Sequence, residues 1–500
     1  MRGLLLILCQ CGAVAACSFA PHYAKPTLPS PPPEQFQEAG DWKPAAPADT
    51  AYRGEWWTAF QDPMLDALES RVTAANQNIK AAFARLQQAR AETRVQRSFL
   101  FPTLTAGPSV TRGRTSVNSP THNPAKPATG NDFVLEADLS YEIDVWGRIR
   151  NSLASARATE QATAADLATL DLSAHAELAT DYFTLCGQDT QAALLNQTVA
   201  DYQRAVDLTR SLFEGGAAAR GDLDQALAQL ESARTQARDM RLKRAQTEHA
   251  IAVLVGESPS TFHLDSRQLP LDTPPPSFDP GLPSALLERR PDVAAAERRT
   301  AAANADIGIA RAAYFPVFSL GGSAGFNSTQ SGNWIDAPSR FWSIGPSAVL
   351  TVFDAGRHRA QSAQAHARYD EQVADYRQTV LTAYQEVEDN LAASRDLEAE
   401  ATSQAAAVAA TGSALRQAQF QYQGGIVTYL QVVATENAAL SAQLSAADIQ
   451  IRRRSAAVLL VKALGGGWRS PAAQPIDGNT GHQESYRPQQ RLQLDADGRP

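Results

Sequence analysis

The chain has 500 residues, of which 44% are hydrophobic and 20% are charged, so it can bury a sizeable core and is not a disordered tail. Its formal net charge of −8 lacks the basic footprint of a general nucleic-acid binder. Beyond residue 20 no uninterrupted apolar run reaches the roughly 18 residues of a spanning helix, which excludes a bundle of transmembrane helices. Transmembrane β-strands are not excluded, because their hydropathy signal is weaker.

The N-terminus has the pattern of a secretory signal peptide. Arg2 precedes a short apolar stretch, and small residues lead to Cys17. A cysteine directly after two alanines resembles a bacterial lipobox, so we expect removal of residues 1–16 and acylation of Cys17, with palmitate among the attached chains. Ordinary cleavage near Ala16 is the alternative. Because only Cys186 lies beyond Cys17, no disulfide framework is indicated.

After a lipid-anchored, proline-rich leader over residues 17–61, the chain contains one pattern twice. Phe101-Pro102 recurs 214 residues later as Phe315-Pro316, and Gly147-Arg148 recurs 209 residues later as Gly356-Arg357. We therefore predict four further segments: a first repeat over 62–256, a proline-rich linker over 257–281, a second repeat over 282–467 and a disordered tail over 468–500.

Each repeat is expected to begin with a helix, over 65–98 and 291–313, after which the apolar period changes from about 3.6 to 2. Between Phe133 and Val145 one strand face is wholly apolar, and the other carries Glu136, Asp138, Glu142 and Asp144. Runs of about 11 to 13 residues fit a bilayer-crossing strand better than a strand of a soluble sandwich, which is the alternative. On this interpretation the four acids face a watery lumen.

Helical stretches of unusual length follow both glycine-arginine pairs. Residues 148–213 contain no proline and could span roughly 100 Å. A coiled-coil seam is predicted there, formed by Leu195, Val199, Tyr202, Val206 and Phe213. Glycine pairs at 215–216 and 424–425 are expected to end the long helices, and return helices then run to Gly256 and Gly465.

The number of strands predicts an assembly of several chains. Two strands per repeat give four per chain, which cannot close a barrel, and open edges in lipid would leave backbone groups unsatisfied. Three copies would supply about 12 strands. The predicted fold class is therefore an internally duplicated α+β membrane protein, in which a trimer forms a long α-helical coiled-coil barrel and a transmembrane β-barrel.

Four sequence stretches resemble the outer-membrane factor family, and most closely the lipoprotein branch of TolC-like efflux channels. They are Trp57 with the following FQDP, RPDVAAAERRTAAANADIGIARAAYFP at 290–316, YEIDVWGR at 141–148, and FDAGR at 353–357. The resemblance covers about residues 17–467. It implies a homotrimer in the cell outer membrane that extends into the periplasm and acts as a passive, gated conduit without enzymatic activity, cofactor or metal. It also implies a periplasmic adaptor and an inner-membrane pump as partners, commonly one of the resistance-nodulation-division class.

In that family the helix-turn tips form a periplasmic gate. The corresponding segments here are 214–224 and 422–433, and the resemblance points to Asp222 and Tyr422, and more weakly to Arg220 and Tyr429. Gln431 and Ala434 stand where family members often carry aspartates, so an acidic ring is not indicated. An alternative role for Asp222 is to cap its helix.

Three other functions are compatible with parts of the sequence. A lipid-anchored periplasmic coiled-coil scaffold would never insert into the membrane, and a type I secretion channel would share the architecture. A hydrolase could use Ser323 of the G-x-S-x-G pattern at 321–325, but that motif requires a strand-to-helix turn.

Overall fold

The computed structural model describes residues 18–28, 31, 33, 35–39, 55–118, 120, 129–278, 283 and 289–466. The first repeat contains α1 (Pro63–Ala75), α2 (Gln77–Ser98), β1 (Thr103–Arg114), β2 (Thr129–Ile143), α3 (Arg148–Glu214) and α4 (Arg220–Leu254). The second contains α5 (Pro291–Ala312), β3 (Val317–Ser328), β4 (Arg340–Val349), α6 (Arg357–Gln423) and α7 (Tyr429–Ala463). The predicted α+β class, the duplication and the four strands per chain are confirmed.

The prediction of one continuous helix over 65–98 is wrong, because the helix is interrupted at Asn76. The side chain of Asn76 accepts hydrogen bonds from the backbone N–H groups of Asn78 and Ile79 at 2.9 and 3.1 Å, so this residue caps α2. Its own amide donates to the carbonyl of Leu254 at 2.9 Å. The interruption therefore fixes the start of α2 against the end of α4.

The four strands form one antiparallel sheet in the order β1-β2-β3-β4. Residues opposite each other share a face, and the register places most apolar residues of the four strands on one side, with Val134, Phe341 and Val349 among the exceptions. On β2 these are Phe133, Leu135, Ala137, Leu139, Tyr141 and Ile143, and their neighbours include Leu104, Ala106, Val110, Phe318, Leu320, Ala324, Phe326, Trp342, Ile344 and Ala348. The other face carries Thr105, Asp138, Ser323 and Ser343 in one row. The predicted alternation thus extends across the whole sheet, including β1, which the sequence did not locate.

The helices pack around two apolar clusters. The larger cluster contains side chains from α1, the middle of α3, the ends of α4 and α7, α5 and α6; it includes Leu68, Leu178, Ile251, Val380 and Val458. The smaller cluster lies at the far end of α3, where the predicted seam residues Tyr202 and Val206 are buried. Among the described residues, none of the helices combines the length and apolarity needed to span a bilayer.

Two segments outside the repeats also pack on the helices. Residues 18–28 lie against α3, α5 and α6, and residues 257–278 contain no helix and bury Phe262, Leu264 and Leu269. The signal peptide, Cys17 and the tail over 468–500 lie outside the described residues. The domain boundaries stay predictions.

Candidate functional site

The helix-turn tips at the end opposite the sheet have the same backbone conformation in both repeats. Gly216 and Gly425 have φ angles of 76° and 72°, which favour glycine. The N–H groups of Ala217 and Ile426 donate to the carbonyls of Leu212 and Gln421 at 2.7 and 2.9 Å. These 6→1 hydrogen bonds are those of a Schellman motif, so the glycine pairs end α3 and α6 as predicted.

Aromatic residues join the two tips within one chain. Tyr429, the first residue of α7, is buried and lies 5.6 Å from the ring of Tyr422. It belongs to the smaller apolar cluster, in which Tyr202 of α3 donates from its hydroxyl to Asn437 Oδ1 at 3.2 Å. Burial, followed by the negative charge of Asp222, raises the pKa of Tyr422. No hydrogen bond joins Tyr422 to Asp222 in the described part of the chain.

Asp222 and Arg220 are both exposed at the start of α4. The carboxylate of Asp222 accepts a hydrogen bond from the Ala219 N–H at 3.2 Å, which is the N3 half of a capping box. Arg220 forms an ion pair one turn along the helix with Asp224, at 3.0 Å. Both charges therefore contribute to the local structure of this tip.

Glu436, three residues beyond the second tip, is a residue that the sequence analysis did not identify. It lies on α7, and Gln419 of α6 lies 3.5 Å from its Oε1. Its Oε2 is buried and has no hydrogen-bond partner among the residues that the structure describes. Burial raises the pKa of this carboxyl. The sequence signal for this residue was its spacing. Glu436 lies three residues after Val433, on the same helix face as Val433 and Tyr429.

The four strand acids separate into two pairs. Glu136 lies between Gly107 and Gly325, and Asp138 lies between Thr105 and Ser323, with no ion pair for either acid among the described residues. Glu142, at the helix end of β2, forms a bidentate ion pair with Arg148 at 2.7 and 2.8 Å.

The placement of Asp144 on the strand face is wrong, because β2 ends at Ile143. The carboxylate of Asp144 accepts hydrogen bonds from the N–H groups of Ile149 and Arg150 at 3.1 and 2.9 Å, so it caps the first turn of α3. Arg150 also pairs with it through its side chain. Of the four acids predicted for this face, Glu136 and Asp138 are therefore the two on the strand that have no ion-pair partner in the described chain.

The surroundings of Ser323 and Cys186 do not favour a role as nucleophile for either residue. Ser323 lies inside β3, and its hydroxyl is 3.0 Å from that of Ser343 on β4, so the strand-to-helix turn of a hydrolase nucleophile is not formed. Cys186 is buried inside α3, where burial raises the pKa of its thiol to about 11. A thiol with such a pKa is a packing residue and not a nucleophile.

Comparisons with known proteins agree with this architecture. A sequence model of the family described as "Outer membrane efflux protein" matches residues 68–257 and 282–466. The outer membrane protein OprJ of Pseudomonas aeruginosa is 33% identical over 461 residues, covering 91% of this chain and 94% of OprJ. The toluene efflux pump outer membrane protein TtgF of Pseudomonas putida is 30% identical over 93% of this chain and 97% of TtgF. The solved outer-membrane channel OprN has a TM-score of 0.81 and 30% identity, over 90% of this chain and all of OprN.

Proposed function

Because the chain belongs to the outer membrane efflux protein family, we propose that three copies of it form a gated channel that carries small molecules out of the periplasm. The protein is an outer-membrane efflux component, as its relatives are. The observation that supports the channel is the sheet, whose apolar face extends across four strands and whose edge strands β1 and β4 have no partner within the described chain. A second copy that pairs with these edges satisfies their backbone groups, and three copies supply about 12 strands around a lumen.

The helices provide the rest of the conduit. Helices α3 and α6 have 67 residues each, so at about 1.5 Å per residue they extend roughly 100 Å from the sheet, long enough to reach across a periplasmic space. Their tips are where the channel meets a periplasmic adaptor and an inner-membrane pump. The pump supplies the energy and most of the choice of cargo, and the channel is passive. The pump of which TtgF is the outer membrane protein is named for toluene. The cargo of the present protein depends on its own pump.

Planar bilayers test this function directly. The purified full-length chain is expected to show discrete single-channel currents and a heat-modifiable oligomer in denaturing electrophoresis. A periplasmic coiled-coil scaffold would show neither. A chain that stays monomeric and gives no conductance would contradict the proposal.

At the tips, the Asp222 cap is expected to keep the resting channel narrow. Asp222→Ala removes the acceptor for the Ala219 N–H and should raise the resting conductance, because the first turn of α4 loosens. Asp222→Asn keeps an acceptor and should conduct like the wild type. Asp224→Ala, which breaks only the exposed ion pair with Arg220, is the control and should change little. Equal effects of the alanine and asparagine variants would instead indicate that the charge of Asp222 closes the tip, together with Tyr422.

In the lumen, Glu136 and Asp138 are expected to favour cations. The pair Glu136→Gln with Asp138→Asn removes six negative charges from a three-chain ring and should lower the ratio of cation to anion permeability, measured as a reversal potential in a salt gradient. The control is Glu142→Gln with Arg148→Gln, which removes a neutral ion pair. An unchanged reversal potential in the first variant would contradict the assignment of these acids to the lumen.

We propose that Cys17 carries the lipid anchor. The residues that follow it lie at the junction of sheet and helices: Ser18 donates to Asn151 Oδ1 at 3.1 Å, and the ring of Phe19 stacks on Phe315 at 4.5 Å. Cys17→Ala should abolish labelling with radioactive palmitate and weaken membrane retention, whereas Cys186→Ala should leave both unchanged. Labelling that persists without Cys17 would contradict the anchor.

A further inference from the structure

The two repeats of one chain contact each other through α5 and α3. Arg299 of α5 forms an ion pair with Asp166 of α3, in which Nη2 of Arg299 donates to both carboxylate oxygens at 2.5 and 2.6 Å. Nearer the sheet, Gly308 of α5 lies so close to Asn151 of α3 that an added Cβ would collide with the amide of Asn151. Each repeat also contains a counterpart of the other's helix: α2 corresponds to α5, and α6 corresponds to α3.

The register of the sheet confirms this correspondence residue by residue. The first hairpin pairs Thr103 with Ser140, and the second pairs Val317 with Val349. Thr103 and Val317 differ by 214 residues and Ser140 and Val349 by 209, which are the two offsets found in the sequence. The backbone is therefore duplicated as the sequence is. Corresponding residues are 214 positions apart in the first part of each repeat and 209 positions apart in the second part.

The same offsets identify, for each residue in the contact between α5 and α3, the corresponding residue on α2 or α6. One chain does not bring these corresponding residues together. Subtracting 214 from Arg299 gives Arg85 on α2, and adding 209 to Asp166 gives Asp375 on α6. Both residues have the charge that the pair requires. Yet α2 does not pack against α6 in the described chain. Arg85 is exposed and has no ion-pair partner among the described residues, and Asp375 is exposed with only a long hydrogen bond from Gln372, at 3.4 Å.

We propose that α2 of one copy packs along α6 of the next copy in the register of α5 on α3, with Arg85 paired to Asp375 of that copy. This inference rests on the proposed function, because it requires a ring of identical chains. The same operation applied to the pairing of β2 with β3 sets the register of the edge strands. Phe318 pairs with Ile143, and the residues that correspond to them are Leu104 and Val352. In the same antiparallel register, Val349 of β4 lies opposite Gly107 in β1 of the next copy.

The junction between copies differs from the junction within a chain in one respect. Within the chain Gly308 lies beside Ala20 of the leader, 2.7 Å from the position of an added Cβ. The described leader residues 18–28 occupy the first junction, so they leave the corresponding space of the second junction unfilled. There the counterpart of Gly308 is Arg94, and the counterpart of Asn151 is Ala360. A long side chain opposite a small one occupies the volume that the leader takes in the first junction.

A disulfide between copies tests the register. Because Gly308 and Asn151 are in close contact, Cβ atoms at positions 94 and 360 of neighbouring copies should lie within disulfide range. The full-length variant Arg94→Cys with Ala360→Cys, in a Cys186→Ala background, should on oxidation convert most of the protein into reducible dimers and trimers in denaturing electrophoresis. The variant Arg94→Cys with Gln364→Cys shifts one cysteine by a helical turn and should form far less of this product.

The outcomes separate the register from the function. A reduced sample that is oligomeric and conducts, but gives no more crosslink at 94/360 than at 94/364, overturns the register and leaves the channel intact. A sample that is monomeric throughout overturns both. Charge reversal is an independent check: Arg85→Asp alone should lower the temperature at which the oligomer dissociates, and adding Asp375→Arg should restore it. Loss without restoration contradicts the pair.

Discussion

Replacing His175 by alanine is expected to lower the free energy of unfolding by about 3–5 kcal/mol, because it leaves a buried charge without its partner. Glu69 of α1 and His175 of α3 are buried, with His175 Nδ1 and Glu69 Oε2 2.5 Å apart. Trp57 stacks on the imidazole at 4.6 Å, and Oε1 of Glu69 has no hydrogen-bond partner within the described part of the chain. Without His175 the carboxylate has to be protonated or hydrated within the core.

Thermal unfolding of the detergent-solubilised protein, followed by circular dichroism at one protein concentration, measures this effect. Glu69→Leu with His175→Leu replaces the pair by apolar side chains and should recover most of the loss, as buried ion pairs contribute little net stability. Arg210→Ala, which breaks an exposed pair with Asp207, is the control and should cost below about 1 kcal/mol. A His175→Ala protein as stable as this control would contradict the role of the pair.

The same pair predicts a pH dependence. Burial by itself lowers the pKa of His175. Hydrogen bonds to Asp171 and Glu69 have the opposite and larger combined effect, so that the pKa is raised to about 9. Burial raises the pKa of Glu69 to about 7, against the opposing effect of His175. Both groups bind a proton more tightly in the folded chain than in the unfolded chain, so their contribution is complete below the unfolded values and is lost as the pH rises through the folded values. The melting temperature should therefore fall between about pH 5 and 9 more steeply in the wild type than in the double leucine variant. Parallel curves would contradict this assignment.

Gly256→Ala and Gly465→Ala should each destabilise the protein by about 2–5 kcal/mol, from backbone strain and overpacking together. These glycines follow α4 and α7 with φ angles of 73° and 90°, in the left-handed region. A Cβ on Gly256 would lie 2.6 Å from the carbonyl oxygen of Ala75, and one on Gly465 would collide with the carbonyl of Arg289. Both obstacles are backbone atoms just before α2 and α5, so neither can rotate away.

The tip glycines provide a matched control. Gly216 and Gly425 have φ angles of 76° and 72° but no atom within 4 Å of an added Cβ. Their alanine variants should therefore show only the conformational cost of about 1–2 kcal/mol. If all four variants melted at the same temperature, the close approach of the return helices to the start of α2 and α5 would have no energetic consequence.

Much of the fold and part of the candidate site could be predicted from the sequence. The constant offsets identify the duplication, and the change of period separates the sheet from the helices, as at Phe133 and Arg148. The strand β1 was not located, because Gly107, Pro108 and Gly113 interrupt its alternation. The break at Asn76 was missed because the helical pattern continues across it while its side chain caps the second helix.

By itself, the sequence determined the properties that repeat along the chain: two copies, two strands in each, long helices ended by glycine pairs, and one apolar sheet face. These follow from local periodicity, which depends on neighbours a few residues away. Only the tertiary structure decided which charges are free. Glu142 and Asp144 are neutralised across a turn while Glu136 and Asp138 are not, and Glu69 meets His175 from 106 residues away. The first pairs depend on the conformation of the turn between β2 and α3, and the last depends on the packing of distant helices. Period and composition contain no record of either.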